Sequence, residues 1–283
     1  MTSAPLDTNQ GSSPAETSLR TADHDRDMHN TTATVTVIEF PTRDVLRFTA
    51  ALSSGSDDPA WRQPNVALRL QLEAPLNASR VYTVREFDAS SGSIVVDVVL
   101  HGEASPMMKW AKALTVGSVF EFRGPRAHFT IPTTGHRRVA CFADSTAIPA
   151  LFALLQKWPE GVAGEIWIES DDVGAVDELT PPAEVTIRRI STADAEGLLA
   201  CARSIPDPTD YVVWGAGERD SMKAIRSYFR TEAALSKQDV AVFGYWKKGV
   251  STTDIDDHRL RAYEAILARG GTLDDLDDAE IGI

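Results

Sequence analysis

Arg80-Val81-Tyr82-Thr83-Val84-Arg85 is the stretch of this sequence whose residue types and spacing point most directly to chemistry. It reads as a strand, so Arg80, Tyr82 and Val84 face one way and Val81, Thr83 and Arg85 the other. A cation and an aromatic ring on one face, with a hydroxyl and a second cation just beyond, suit a ligand that carries both a phosphate and a flat ring. An ordinary half-exposed strand alternates in the same way, so the hexapeptide decides nothing alone. Three later stretches read as strand ends that meet ligands: Ala143-Asp144-Ser145-Thr146, Trp214-Gly215-Ala216-Gly217 and Gly244-Tyr245-Trp246. Gly215-Ala216-Gly217 falls short of a full G-x-G-x-x-G fingerprint and reads equally as a tight strand-to-helix turn. Tyr245 and Trp246 can stack on a planar ring or pack under a helix. Lys223, Arg226 and Arg230 share one helix face, either a solvated face or a contact for a 2′-phosphate. Residues 122–143 hold Arg123, Arg126, Arg137, Arg138, His128 and His136 and no acid, which reads as an anion-attracting mouth.

The elements that must position these residues change character along the chain. Residues 1–30 are rich in Thr, Ser, Asp, Asn and Pro and bury almost nothing, so a disordered tail is expected there. From Ala33 short β-patterned runs follow, broken by Gly, Pro, Asn and Asp: residues 33–40, 44–50, 66–72, 80–87, 94–100 and 119–123. They predict a six-stranded antiparallel barrel over residues 31–136. One helix interrupts it, with Ser105 as cap, Pro106 at the first helical position and a stop before Gly117. Its N-terminal amides suit an anion. After about residue 137 strands alternate with helices, which predicts a doubly wound parallel sheet over 137–270. An acidic tail is expected over 271–283.

Composition narrows the function. The chain has 283 residues and a net charge of −13. The first 30 residues carry −3 and the last 13 carry −5, so the part between them is only mildly acidic. No long basic run supplies the footprint of a nucleic-acid binder. The two cysteines, Cys141 and Cys201, lie in apolar surroundings and read as reduced core residues. With no H-x-x-x-H or C-x-x-C pair, no protein-held metal is expected. With no apolar run near ~18 residues and no secretory h-region, neither a membrane span nor export is expected, and the cytoplasm is the expected compartment.

Taken in order, six anchors resemble the siderophore-interacting protein family, flavoproteins with the ferredoxin reductase layout. They are Arg80-Val81-Tyr82-Thr83-Val84-Arg85-Glu86-Phe87-Asp88; Val98-Val99-Leu100-His101-Gly102 with Trp110-Ala111; Gly124-Pro125; Asp144-Ser145-Thr146-Ala147-Ile148-Pro149-Ala150; Trp214-Gly215-Ala216-Gly217-Glu218; and Gly244-Tyr245-Trp246-Lys247-Lys248-Gly249. The resemblance runs from about Asp44 to Ala268. It implies FAD on the barrel, with Arg80 on phosphate or ribityl oxygens, Tyr82 against the isoalloxazine, and Val81 and Thr83 beside it. His101, Gly102, Ser105, Met107 and Trp110 are then implied around the pyrophosphate. It implies a nicotinamide nucleotide site from Thr146, Ala147, Gly215, Ala216, Gly217, Glu218 and Tyr245, with Trp246, Lys247 and Lys248 nearest the chemistry. The expected activity is reduction of a ferric siderophore by a monomer, from NADPH or NADH through FAD. A ferredoxin-fed flavin oxidoreductase and a non-enzymatic siderophore or flavin carrier are the alternatives. The chain departs from the family pattern at Ser105-Pro106-Met107, where Gly-Pro-Ala is common, at Ser145, where an acid is common, and at Arg126-Ala127-His128, in place of a glycine-rich turn.

Overall fold

A computed structural model describes residues 28–72, 78–100, 105–132, 135, 137–194, 197–250 and 252–271. Six antiparallel strands, β1 (His29–Thr42), β2 (Val45–Leu52), β3 (Val66–Leu72), β4 (Ala78–Asp88), β5 (Ser93–Val99) and β6 (Val119–Ala127), close a barrel in the order β1-β2-β5-β4-β3-β6. Alternation builds its core, since inward residues such as Phe48, Leu68, Leu70, Ile94, Val96 and Phe122 are fully buried. Trp61, from a 3₁₀ turn before β3, stacks on Phe87 at 5.5 Å. Helix α1 (Pro106–Ala113) seals the same core through Met107, Met108 and Ala111. β1 begins at His29, so His29 and Asn30 pair with Gly124 and Arg123 instead of joining the tail expected over 1–30.

Beyond the barrel, the strands β7 (Arg138–Asp144), β8 (Gly164–Glu169), β9 (Val185–Ile190), β10 (Tyr211–Glu218) and β11 (Val240–Trp246) form a parallel sheet in the order β11-β10-β7-β8-β9. Both faces are covered, which is why these strands read as continuous apolar runs. Val139, Cys141 and Ala143 pack with α2 (Ile148–Leu155) and α3 (Val173–Asp177), while Ala140 and Phe142 pack with α4 (Gly197–Arg203) and α5 (Arg219–Ser227). The chain runs outward from β7 to β9 and then returns to β10 on the other side of β7. Strand order therefore reverses between β7 and β10, the place where such sheets receive ligands. The single helix expected from Glu218 to about Ala234 gives way to a π-helical turn at Tyr228–Glu232. Residues 28–252 form one compact unit, and the last helix, α6 (Thr252–Leu267), belongs from Thr253 to a second one. Among the described residues no helix is long and apolar enough to cross a membrane.

A charged network ties the barrel to the sheet. Arg47 of β2 donates from Nε to Asp97 Oδ1 at 2.6 Å and from Nη2 to Glu178 Oε2 at 2.6 Å. Arg85 of β4 donates to Asp97 Oδ2 and Glu178 Oε2, each at 2.9 Å, and its guanidinium lies 3.5 Å from the ring centroid of Phe152 on α2. Asp97 belongs to β5 and Glu178 follows α3, so two cations and two carboxylates balance across the junction. Arg85, expected as a second cation for a ligand, is structural instead: its side chain is 3% exposed and its fork is filled by protein carboxylates. A bulge between Val84 and Glu86 lets Val84 and Arg85 be buried on opposite faces before Phe87 turns back to the core.

Removing Arg85 leaves Asp97 and Glu178 sharing the single cation Arg47, one buried negative charge in excess, so Arg85→Ala should destabilise the protein by roughly 3–5 kcal/mol. Urea unfolding checks this, and a loss under ~1 kcal/mol would mean the network behaves like an exposed ion pair. Hydrogen bonds from Arg47 hold the Glu178 carboxyl below its usual range against the opposing effect of burial. Its contribution is therefore present above the unfolded carboxyl pKa and is lost as pH falls through the folded one.

Candidate functional site

The site lies where β4 meets the carboxyl ends of β7, β10 and β11. Arg80 and Tyr82 stand opposite Leu70 and Leu68 of β3 and share their face, both half-buried. Arg80 Nη1 donates to Ser79 O at 2.7 Å. Burial pushes the Tyr82 hydroxyl well above its ordinary pKa, and the charge of Arg80 pulls it back, which places the two groups close together. α1 packs against the same strand. Thr83 points the other way, as alternation predicts, and its hydroxyl lies close enough to that of Tyr245 on β11 to oppose the upward push of burial on the Tyr245 pKa. Val81 is 52% exposed on the Thr83 side.

Asp144 organises the sheet end. Its Oδ1 accepts from the amide and hydroxyl of Thr146 at 2.8 and 2.6 Å. Its Oδ2 accepts from the Glu218 amide at 2.8 Å and from the Trp246 indole Nε1 at 2.7 Å. One carboxylate thus joins the ends of β7, β10 and β11, and it bridges the reversal point between β7 and β10. Burial pushes this carboxyl up, and the four donors oppose that shift. Because all four donors aim at its two oxygens, the ionised form is the one the surroundings accept. The charge also reaches Tyr245, whose hydroxyl is raised first by burial. Ser145, nearby, donates to Ser170 Oγ at 2.9 Å.

Several of the residues expected at a ligand also make structural contacts. His101 and Gly102 lie outside the described residues. The Ser105 hydroxyl caps α1 by accepting from the Met108 amide at 3.2 Å, and the Met107 side chain is core. Trp110 meets Phe48 and Phe120 edge-on at 6.0 and 5.9 Å, which makes it part of the barrel packing. Ala147 and Ala216 are fully buried. A Cβ on Gly215 would sit 3.3 Å from Met222 Sδ, and one on Gly217 would sit 2.7 Å from Asp144 Cγ, so both glycines serve close packing. Glu218 caps α5, accepting from the amides of Asp220 and Ser221 at 2.7 and 3.0 Å. Its other oxygen accepts from the Lys248 amide at 3.3 Å. Lys247 is ion-paired with Asp220 at 3.3 Å, while Lys248 is exposed.

Two larger expectations are also corrected. The π-helical turn takes Arg230 off the Lys223 and Arg226 face, and Arg230 donates to Val240 O at the amino end of β11. The basic island of residues 122–143 is dispersed: Arg137 pairs with Asp239 and Arg138 with Glu165, both at the amino ends of strands. Arg123 bonds Asn30. His128 packs on Phe243 at 4.3 Å, with its imidazole pushed down to about 4 by burial and then by Arg126, so it is neutral at pH 7. The sequence places Asp144 at a strand end that meets ligands, and its long-range partners give no local signal.

Comparison with known proteins agrees with this fold. The siderophore-interacting FAD-binding domain model matches residues 55–129, and the siderophore-interacting protein model matches residues 136–249. The ferric acinetobactin reductase of Acinetobacter baumannii is 33% identical over 270 residues, covering 93% of this chain and 94% of that protein. The chain belongs to the siderophore-interacting protein family. The solved siderophore-interacting protein from Acinetobacter baumannii is 32% identical with a TM-score of 0.80, covering 86% of this chain and all of that one. A ferric vibriobactin reductase of Vibrio cholerae is 30% identical over 178 residues, 60% of this chain and 65% of that protein. The barrel is the family's FAD-binding domain, and this siderophore-interacting protein is a flavin-dependent oxidoreductase. The residues present fit a flavin: a cation and a ring adjoin on one face of β4, and a hydroxyl pair from Thr83 and Tyr245 sits on the other.

Asp144→Asn replaces an acceptor with an amide that opposes two N–H donors. It should cost on the order of 3 kcal/mol and release the Trp246 indole. Urea unfolding gives the first quantity. Tryptophan fluorescence, referenced to Trp246→Phe in each background, gives the second, and an unchanged Trp246 component would show that the bond does not hold the ring.

Proposed function

We propose that this chain is a FAD-dependent ferric-siderophore reductase, fed by NADPH or NADH, that releases iron from a small chelator by reducing it. Residues 31–136 form its flavin module and 137–270 its second module. The observation that carries this reading is the buried Asp144 carboxylate that joins the ends of β7, β10 and β11, with Tyr245 of β11 brought beside Thr83 on the Arg80–Tyr82 strand. Bound FAD supplies the redox chemistry, accepting an electron pair and delivering single electrons. Arg80 binds its phosphates, Tyr82 packs against its ring system, and the Thr83 backbone amide meets the edge nearest the sheet. Trp246, oriented by Asp144, limits how far the ring and the chelate can move. Lys248 offers an exposed cation at the crevice, with Lys247 beside it already balanced by Asp220. Reduction releases the metal because hard oxygen ligands hold Fe(III) far better than Fe(II), so protein iron ligands are not needed. The protein acts as a monomer in the cytoplasm, and reduced ferredoxin is the alternative donor.

The test is the flavin spectrum of the purified protein under anaerobic conditions, first with each donor and then with a ferric siderophore and an Fe(II)-specific dye. Bleaching by a donor, recovery on adding the chelate and dye colour in proportion are expected. A reduced flavin that the chelate leaves unoxidised overturns the reading. Arg80→Ala and Tyr82→Ala should each lower FAD affinity, the first by roughly 1.5–3 kcal/mol, and variants purified fully yellow with wild-type affinity would contradict these roles. Lys248→Glu should lower kcat/KM for an anionic ferric chelate and flatten its salt dependence, with a neutral chelate unaffected. Equal effects on both chelates would remove charge guidance from the account.

A further inference from the structure

A doubly wound sheet seats the diphosphate of a dinucleotide where its strand order reverses, on amides at the turns into the following helices. In this protein those turns follow β7 and β10, and their amides face protein carboxylates. The Thr146 and Glu218 amides donate to Asp144, and the Asp220, Ser221 and Lys248 amides donate to Glu218. The gap above Gly217, through which a phosphate approaches in a glycine-rich turn, is filled, since even a methyl group there would meet Asp144 Cγ at 2.7 Å. Charge acts in the same direction. Glu169, at the end of β8, has its carboxyl pushed up by burial and then by Asp144, Asp194 and Asp171. Asp220 adds a further acid in the first turn of α5. Of the cations once expected to meet a nucleotide, Lys247 is paired with Asp220, Arg137, Arg138 and Arg230 lie at the opposite end of the strands, and Lys223 and Arg226 lie further along α5 from its first turn.

We infer that this crevice is sealed by the chain's own carboxylates against the adenosine diphosphate half of a nicotinamide dinucleotide, so that such a donor is recognised through its nicotinamide end alone. The inference rests on the reading of the chain as a reductase fed by NADPH or NADH. It makes donor selection depend on access to the flavin edge beside Tyr245 and not on an adenylate anchor. A 2′-phosphate, which distinguishes NADPH from NADH, is then not read, because it belongs to the half of the donor that is excluded.

Isothermal titration of the FAD-loaded wild-type protein with 2′,5′-ADP and with ADP-ribose tests this directly. No saturable heat up to 1 mM of either is expected, and saturable binding below 1 mM overturns the inference. In anaerobic stopped flow, NADPH, NADH and reduced nicotinamide mononucleotide should bleach the flavin with second-order rate constants within tenfold of one another. A dinucleotide favoured more than tenfold over the mononucleotide also overturns it. The reductase reading is judged separately, by oxidation of photoreduced protein with a ferric siderophore, a measurement that no nucleotide enters.

Discussion

The Asp144 carboxylate is the constraint on which the functional end of the sheet depends. A carboxylate removed from water is costly unless its lone pairs are filled, and here backbone and side-chain donors from three strand ends fill them. The N-termini of two helical segments, the turn at Ser145–Ala147 and α5, add a favourable field to the same charge. The consequence is geometric. Trp246 is held by its indole nitrogen, Gly217 must be glycine, and Tyr245, the residue before Trp246, is left beside Thr83 of β4. Stability and site geometry therefore depend on the same charge.

A second constraint sets the other side of the crevice. Thr83 can meet Tyr245 only if the barrel sits in one orientation on the sheet, and the Arg47, Arg85, Asp97 and Glu178 network supplies that orientation with little net charge to bury. Arg85 is two residues from Thr83 on the same face of β4, so the hydroxyl that meets the sheet and the cation that locks it are set by one strand. The other face of β4, with Arg80 and Tyr82, is the one proposed to meet the flavin. Function and assembly divide between the two faces of a single strand.

Much of this was readable from local pattern. Period-two alternation located the six barrel strands, Ser105 followed by Pro106 located the start of α1, and the apolar runs after residue 137 located a sheet covered on both faces. The facing of Tyr82 against Thr83 followed from the strand period alone. What sequence could not show were contacts between distant segments. Glu178 lies 93 residues from Arg85, and Trp246 lies 102 from Asp144, so no spacing rule links them. The same limit misread the cations. The stripe of Lys223, Arg226 and Arg230 assumed an unbroken α-helix, and the π-helical turn redirected its last member to Val240. The basic island near residue 130 looked continuous in sequence because the chain there leaves the barrel and enters the sheet, which sends neighbouring arginines to different ends of the molecule. Glycines at 215 and 217 resembled part of a nucleotide fingerprint, yet Met222 and Asp144 account for both.

The central claim is that flavin sits on the β4 face and that the sheet end is closed to phosphate by Asp144 and Glu218. A crystal structure of the FAD-loaded protein tests it most directly. The account predicts the diphosphate within hydrogen-bond distance of Arg80, the ring system against Tyr82 with one edge at the Thr83 backbone amide, and the four bonds to Asp144 intact. A diphosphate found instead over Gly217, with the Glu218 carboxylate displaced from the start of α5, would contradict it.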